Sequence, residues 1–182
     1  MKNDFEIRTT SLSARDKKLT GYVIKWNSRS QVLWDEFVEQ FAPNAFSTSL
    51  TAGTDVRALY EHDHMNLLGR TTSGTLQLSE DTTGLRFELT PPDTQLGHDV
   101  LTLVERGDIS GMSFGFRAIK DQWDVGQEPY VRTVLEAELR EITVTSLPAY
   151  PESGVEIAKR SLNAAKPCNV DLRHYWLQLS EV

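Results

Sequence analysis

The chain has 182 residues, a formal net charge of −7 and a pI of about 5.1, with 39% hydrophobic and 25% charged residues. This predicts one globular domain with room for a core, and the acidic balance excludes a nucleic-acid binder that relies on a broad basic surface. The single cysteine, Cys168, excludes an intrachain disulfide and fits a cytosolic compartment. The start, MKNDFEIRTTSL, lacks the apolar stretch of a signal peptide, and no apolar run approaches the roughly 20 residues needed to span a bilayer.

Residues 1–18 are polar and are expected to form a flexible N-terminal segment. LTGYVIKWN (19–27) is rich in β-formers and predicts the first strand. LWDEFVEQF (33–41) fits a helical face through Trp34, Phe37, Val38 and Phe41, and a strand through Phe37, Glu39 and Phe41, so its state stays open. Pro43 can open a short helical turn through Ala45 and Phe46. DVRALY (55–60) alternates as a strand does. TLQLS (75–79) and LRFEL (85–89), separated by EDTTG, predict a hairpin with Gly84 available for positive φ.

The clearest helix spans 94–106, with Asp93 or Thr94 as N-cap. Leu96, Val100, Leu103 and Val104 form its apolar stripe, and Gly107 its stop. SGMSFGF (110–116) follows, within a strand expected from about 112 to 119. Its glycines weaken a strand, and are tolerated where another backbone must approach closely. YVRTVLEAEL and REITVTSL predict one long or two short strands ending at Pro148, and ESGVEIAKRSLNAA a short helix. The tail beyond it has no strong periodicity. Mostly strands with one central helix suggest a β-barrel or sheet with helices around it.

Ser113 has small neighbours that leave its hydroxyl reachable, as a serine nucleophile requires. The GMSFG letters resemble a hydrolase elbow, but here the serine follows a helix and opens a strand, the reverse of that context. A base must reach the serine and a third group must orient the base. His62 and His64, which bracket Asp63, are candidate bases, and Glu136, Glu138 and Glu141 are candidate third members. Spacing alone does not choose among them. Two histidines two residues apart also permit a metal site, though a poor one. His98 lies opposite the helix stripe. Cys168, with only His174 near it in sequence, reads as an inert thiol.

Several segments together resemble the prohead proteases of tailed bacteriophages, the capsid maturation serine proteases. They are LYEHDHMNLLGRTTSGTLQLSEDTTGLRFEL, LVERGDISGMSFGF and LREITVTSLPAYP, with GYVIKWNSRS and EQFAPNAFSTSL upstream. The resemblance covers about residues 19–160, which it makes the protease domain, and leaves 161–182 as a C-terminal tail and a candidate self-cleavage region. It implies a mainly β fold, a β-barrel with surrounding helices like that of the herpesvirus assembly proteases. It assigns Ser113 as nucleophile, His62 as base and Glu141, with Glu138 as rival, as the orienter of His62. The herpesvirus enzymes use a second histidine in that third place. Many relatives carry asparagine before the histidine, where this chain has Glu61, and His64 lies outside the motif. In a wholly structural reading, Ser113 is a strand serine, Phe114 and Phe116 are core, and the glutamates are exposed; a pocket role for Phe114 is the functional variant.

The resemblance further implies a serine endopeptidase that cleaves the scaffolding part of the capsid protein, and itself, inside the assembling prohead in the host cytoplasm, or in the bacterial cytoplasm if prophage-encoded. No cofactor, metal, nucleic acid or membrane is implied; a homo-oligomer stays open by analogy with the dimeric herpesvirus enzymes. The alternatives are a non-catalytic capsid-assembly protein on the same fold and a metal-dependent hydrolase using His62, Asp63 and His64.

Overall fold

The computed structural model describes residues 6–15, 17–146, 162 and 164–166. Its strands are β1 (Glu6–Arg15), β2 (Lys18–Lys25), β3 (Phe37–Phe41), β4 (Arg57–Tyr60), β5 (Asp63–Arg70), β6 (Leu76–Glu80), β7 (Gly84–Leu89), β8 (Gly111–Asp124) and β9 (Tyr130–Thr145). Two helices interrupt them, α1 (Ser47–Thr51) and α2 (Gln95–Arg106). No described helix is long and apolar enough to cross a membrane.

All nine strands join one sheet, in the order β5-β4-β9-β8-β1-β2-β7-β6, with β3 attached to β9 beside β4. β9 organises it. One edge of β9 pairs antiparallel with β8 along nearly its whole length, from Val131 opposite Asp124 to Thr145 opposite Gly111. The other edge is shared: β3 runs parallel to Tyr130–Val134, and β4 runs parallel to Glu141–Val144. A strand hydrogen-bonded on both edges must suit a half-buried pleated surface, and the Ile142-Thr143-Val144-Thr145 run, rich in β-branched residues, does.

The core lies on one face. Met112, Phe114 and Phe116 of β8, and Ile142 and Val144 of β9, are almost completely buried there. Phe41, Phe46, Phe114 and Phe116 pack edge-on, tilted or stacked at centroid distances of 5.0 to 6.5 Å. Each such ring contributes about 1.5–3 kcal/mol by leaving water. Phe114 therefore belongs to the core rather than to a pocket wall. Helix α2 lays Val100 and Val104 on this core. Thr94 caps the helix by accepting from the Gly97 amide, and Gly107 ends it at φ 80°, both where the sequence signals place them.

A second, smaller apolar cluster joins Phe37, Trp34, Trp123 and Tyr130 to Leu162. Beside it the buried Arg132 guanidinium donates to Glu39 and to Asp121, each at 2.8 Å, and lies over the Trp123 ring. This ion cluster ties β3, β8 and β9 together. Charges this deeply buried persist only when each is matched by geometry and hydrogen bonds.

Several expectations change. Residues 6–15, read as flexible, form β1, which pairs with both β8 and β2. Its residues carry no sustained apolar alternation, so the sequence pattern did not mark a strand. The open 33–41 segment is β3 over its last five residues. The helical turn after Pro43 becomes a helix only from Ser47. β5 was not anticipated; its first residues are exposed, so no alternation marks them. The 130–145 segment is a single strand. Of the helix expected after Pro151, only 162, 164 and 165 are among the described residues, and all three are helical. The remaining tail, with Cys168 and His174, lies outside them.

The expected barrel does not close. Among the described residues the path of paired strands ends at β5 and β6. These are joined by a short turn in which Thr75 Oγ1 accepts from the Arg70 amide and the Thr75 carbonyl accepts from the Thr90 amide. The Thr75 carbonyl is thus spent on the residue after β7 and not on β5. The β6–β7 hairpin forms as predicted, but Gly84 is needed for space rather than for positive φ. A Cβ there would sit 2.0 Å from the Ile24 carbonyl oxygen and 3.0 Å from Lys25 Cα.

At the root of β4 and β5, Asp55 receives the Arg70 guanidinium and the Thr72 hydroxyl. The Arg70 hydrogen bond, against the opposing effect of burial and with help from Thr72, lowers its carboxyl from 3.8 to about 2.

Two expectations follow. Gly84→Ala must displace backbone and should cost about 2 kcal/mol in chemical denaturation; a neutral result would mean that β2 and β7 separate freely at that point. A carboxyl whose folded value is depressed stabilises above its unfolded value and stops doing so as pH falls through the folded one. The stability advantage of the native chain over Asp55→Asn should thus be complete above pH 3.8 and vanish as pH approaches 2, which denaturation curves at stepped pH would reveal.

Candidate active site on the face of the central strand

Side chains alternate between the faces of a strand. Since Ile142 and Val144 point into the core, Glu141, Thr143 and Thr145 project from the opposite face of β9, all buried. On β8 the same alternation places Ser113 and Gly115 there. The β8–β9 register sets Ser113 directly across from Thr143, and Gly115 across from Glu141. Gly115 contributes no side chain beside the carboxylate, which leaves room for another group. This is what the glycine-interrupted SGMSFGF stretch accomplishes: Met112, Phe114 and Phe116 anchor the strand while the intervening positions stay small.

The group that meets this carboxylate comes from the β4–β5 hairpin. Tyr60 pairs with Asp63, so Glu61 and His62 form its two-residue loop. Both have positive φ, 52° and 56°, as the tight turns compatible with strand twist require. Such backbone costs about 1–2 kcal/mol for a residue like glutamate and less for histidine, a type enriched there, so the turn needs support. Glu61 holds it in place. Its carboxylate accepts from the Ser146 amide (2.8 Å), the Ser146 hydroxyl (2.8 Å) and the Thr145 hydroxyl (2.7 Å), while its own amide donates to the Val144 carbonyl. Burial pushes the Glu61 carboxyl up, but the Ser146 amide, the two hydroxyls and nearby His62 outweigh it, and the net shift is downward.

Held this way, His62 reaches the face of β9. Its Nδ1 lies 2.9 Å from Glu141 Oε1. The Thr143 hydroxyl donates to the other carboxylate oxygen, Oε2. A carboxylate accepts, so Nδ1 carries a ring proton, and in the neutral ring Nε2 then presents its lone pair. The His62 side chain keeps 25% of its surface exposed and Glu141 only 3%. Among the described residues, the buried side-chain nitrogen and oxygen atoms without any hydrogen-bond partner are His62 Nε2 and Ser113 Oγ. Buried polar atoms are nearly always satisfied; here the two exceptions sit on one small patch of sheet.

The structure thus brings His62 and Glu141 into direct contact and places Ser113 on the same face, without a Ser113–His62 hydrogen bond. It keeps the rival carboxylate away: Glu138 accepts from Arg117 and Arg140. Glu136 lies opposite Lys120 in the strand register. His64 is exposed on β5. Asp63 turns into its own loop, accepting from the Met65 amide and Asn66 Nδ2, and His62 Nδ1 is engaged by Glu141, so the three are not arranged as a common ligand set. Among the described residues no group of three or more His, Cys, Asp or Glu side chains is placed to hold a metal ion. His98 is exposed and bonds Asp93 at 2.6 Å. Sequence reasoning passed over Thr143 and the clamp made by Glu61. For Thr143 a signal existed: a hydroxyl two residues after the glutamate on a strand shares its face.

With this geometry established, comparison with known proteins is informative. The family model described as caudovirus prohead serine protease matches residues 3–167. A prohead protease of Escherichia phage T5 is 26% identical over 101 residues, covering 56% of this chain and 45% of that relative. The match therefore spans under half the length of that relative. No solved structure matches. The family match runs through β1 to β9 and includes His62, Ser113 and Glu141, and on that ground the chain belongs to the caudovirus prohead serine protease family.

Proposed function

We propose that this chain is a serine endopeptidase that trims the scaffolding part of the capsid protein, and itself, during prohead maturation. Ser113 is the nucleophile, His62 the general base and Glu141 the group that orients His62. One observation carries the reading: His62 Nδ1 is fixed on Glu141 while His62 Nε2 and Ser113 Oγ, on the same face, are buried and bond to nothing. Acyl transfer needs those two atoms free for each other and for substrate.

The chemistry balances on these residues. Ser113 Oγ attacks the peptide carbonyl while His62 Nε2 takes its proton. The imidazolium, facing the Glu141 carboxylate, then gives that proton to the departing amine. Water, deprotonated in turn by His62, hydrolyses the ester and restores the serine. The serine–histidine hydrogen bond absent from the free protein forms as substrate binds, since such contacts often tighten only in the complex. Ser113 has no exposed surface, so a local rearrangement that uncovers it precedes acylation. That burial is also what a non-catalytic assembly protein on this fold would show, and the same variant separates the two readings.

Two outcomes are expected. Co-expressed with capsid precursor, the native chain cleaves the precursor and trims itself, and Ser113→Ala lowers both rates by about 10⁴-fold or more. Mass spectrometry of the two proteins side by side reads both. Equal processing by the variant would end the peptidase proposal. Glu61→Gly relieves the positive-φ turn but removes the clamp, so acylation of Ser113 by a fluorophosphonate should slow about tenfold or more through misplacement of His62. Because the folded value of Glu61 is depressed, its clamp is complete above the ordinary glutamate value of 4.5 and is lost as pH falls through the lowered one. The clamp's part of the stability difference between the native chain and Glu61→Gly should accordingly be lost at acid pH, leaving only the pH-independent effect of the glycine on the turn; a difference unchanged with pH would assign the clamp to something other than the carboxylate.

A further inference from the structure

We propose that Thr143 is a positioning residue of this site, acting through Glu141; the inference rests on the catalytic reading just given. Thr143 lies directly across from Ser113 on β8 and is also paired with Leu59 on β4. It has no exposed surface. Hydroxyl residues directly opposite each other on antiparallel strands commonly hydrogen-bond to one another. Thr143 does not bond Ser113. Its hydroxyl turns along its own strand and donates to Glu141 Oε2, and Ser113 Oγ is left without a partner.

The choice of partner has two effects. The last torsion of a glutamate is broad and roughly two-fold. A donor fixed on Oε2 holds the carboxylate plane, and Oε1 then meets His62 Nδ1 at 2.9 Å. The donor is itself rigid, because threonine is restricted at χ1 and its backbone is laddered on both sides. The second effect concerns the nucleophile. A hydroxyl spent on Glu141 cannot donate to Ser113, so it neither ties up the serine lone pairs that must attack the carbonyl nor holds the serine in an unreactive rotamer. Thr143 thus orients the acid and leaves the alcohol free.

The test compares Thr143→Val, which removes the hydroxyl and keeps the shape, with Thr143→Ser, which keeps the hydroxyl, in the full chain. The first readout is acylation of Ser113 by a fluorophosphonate, resolved into its limiting rate and its half-saturation. The second is the low-field proton resonance of His62 Nδ1–H, which reports the bond to Glu141 whether or not the enzyme turns over. Thr143→Val should lower the limiting rate about tenfold, leave half-saturation within about twofold, and shift or broaden the resonance. Thr143→Ser should restore both. If Thr143→Val does not fold, Thr143→Ala against Thr143→Ser makes the same hydroxyl comparison. A native-like rate and resonance in the valine variant would overturn the proposal, as would equal losses in the valine and serine variants, which would assign the residue to packing. If the native chain shows no acylation at Ser113, the catalytic reading fails by itself, and the resonance still decides whether Thr143 holds Glu141.

Discussion

The contact on which the site depends is the double pairing of β9 between Glu141 and Val144. One edge of that short segment is bonded to β8 and the other to β4. The first pairing fixes Ser113 opposite Thr143, and the second fixes the strand that ends in the His62 turn. Because the side-chain period of a strand is two, slipping either pairing by one residue would carry its whole set of side chains to the other face. The phenylalanines of β8 forbid such a slip, since it would expel Phe114 and Phe116 from the core. Packing on one face therefore sets the chemistry on the other.

The site is stabilised from outside its own atoms. Two adjacent residues at positive φ are unfavourable, and they persist because three donors at the end of β9 converge on the Glu61 carboxylate. At the distant end of the sheet, Arg132 with Glu39 and Asp121 performs a comparable task for β3. In both places polar groups specify which strands meet, and the aromatic core supplies the drive to meet at all. The free polar atoms, His62 Nε2 and Ser113 Oγ, are then the exception within a well-satisfied interior.

Much of this arrangement could be read from the residues. Helix α2 carried its stripe, cap and stop in sequence, all local signals. The β6–β7 hairpin was equally plain. His62, Ser113 and Glu141 were named through a family resemblance, because residues far apart in the chain have no common periodicity. β1 and β5 were missed for a physical reason: a strand that gains its stability from backbone pairing needs no apolar alternation to exist. Gly84 was understood as a turn glycine and proved to be a contact glycine, a distinction that only the position of the Ile24 carbonyl could make. Which glutamate His62 touches was likewise not legible from spacing: Glu141 faces the turn, while Glu138 accepts from Arg117 and Arg140.

The parallel seating of β4 on β9 also governs when the site can exist. β4 is complete by residue 60, but the strand it must lie against is not made until residue 145. During synthesis the histidine turn and the serine strand leave the ribosome well before the carboxylate that joins them. Contacts so widely separated in sequence form late and slowly. A nascent chain, or one broken off before β9, holds the alcohol and the imidazole with nothing to align them. On the proposed function, a growing chain stays inert until the last core strand is in place, and a chain broken off before it stays inert altogether.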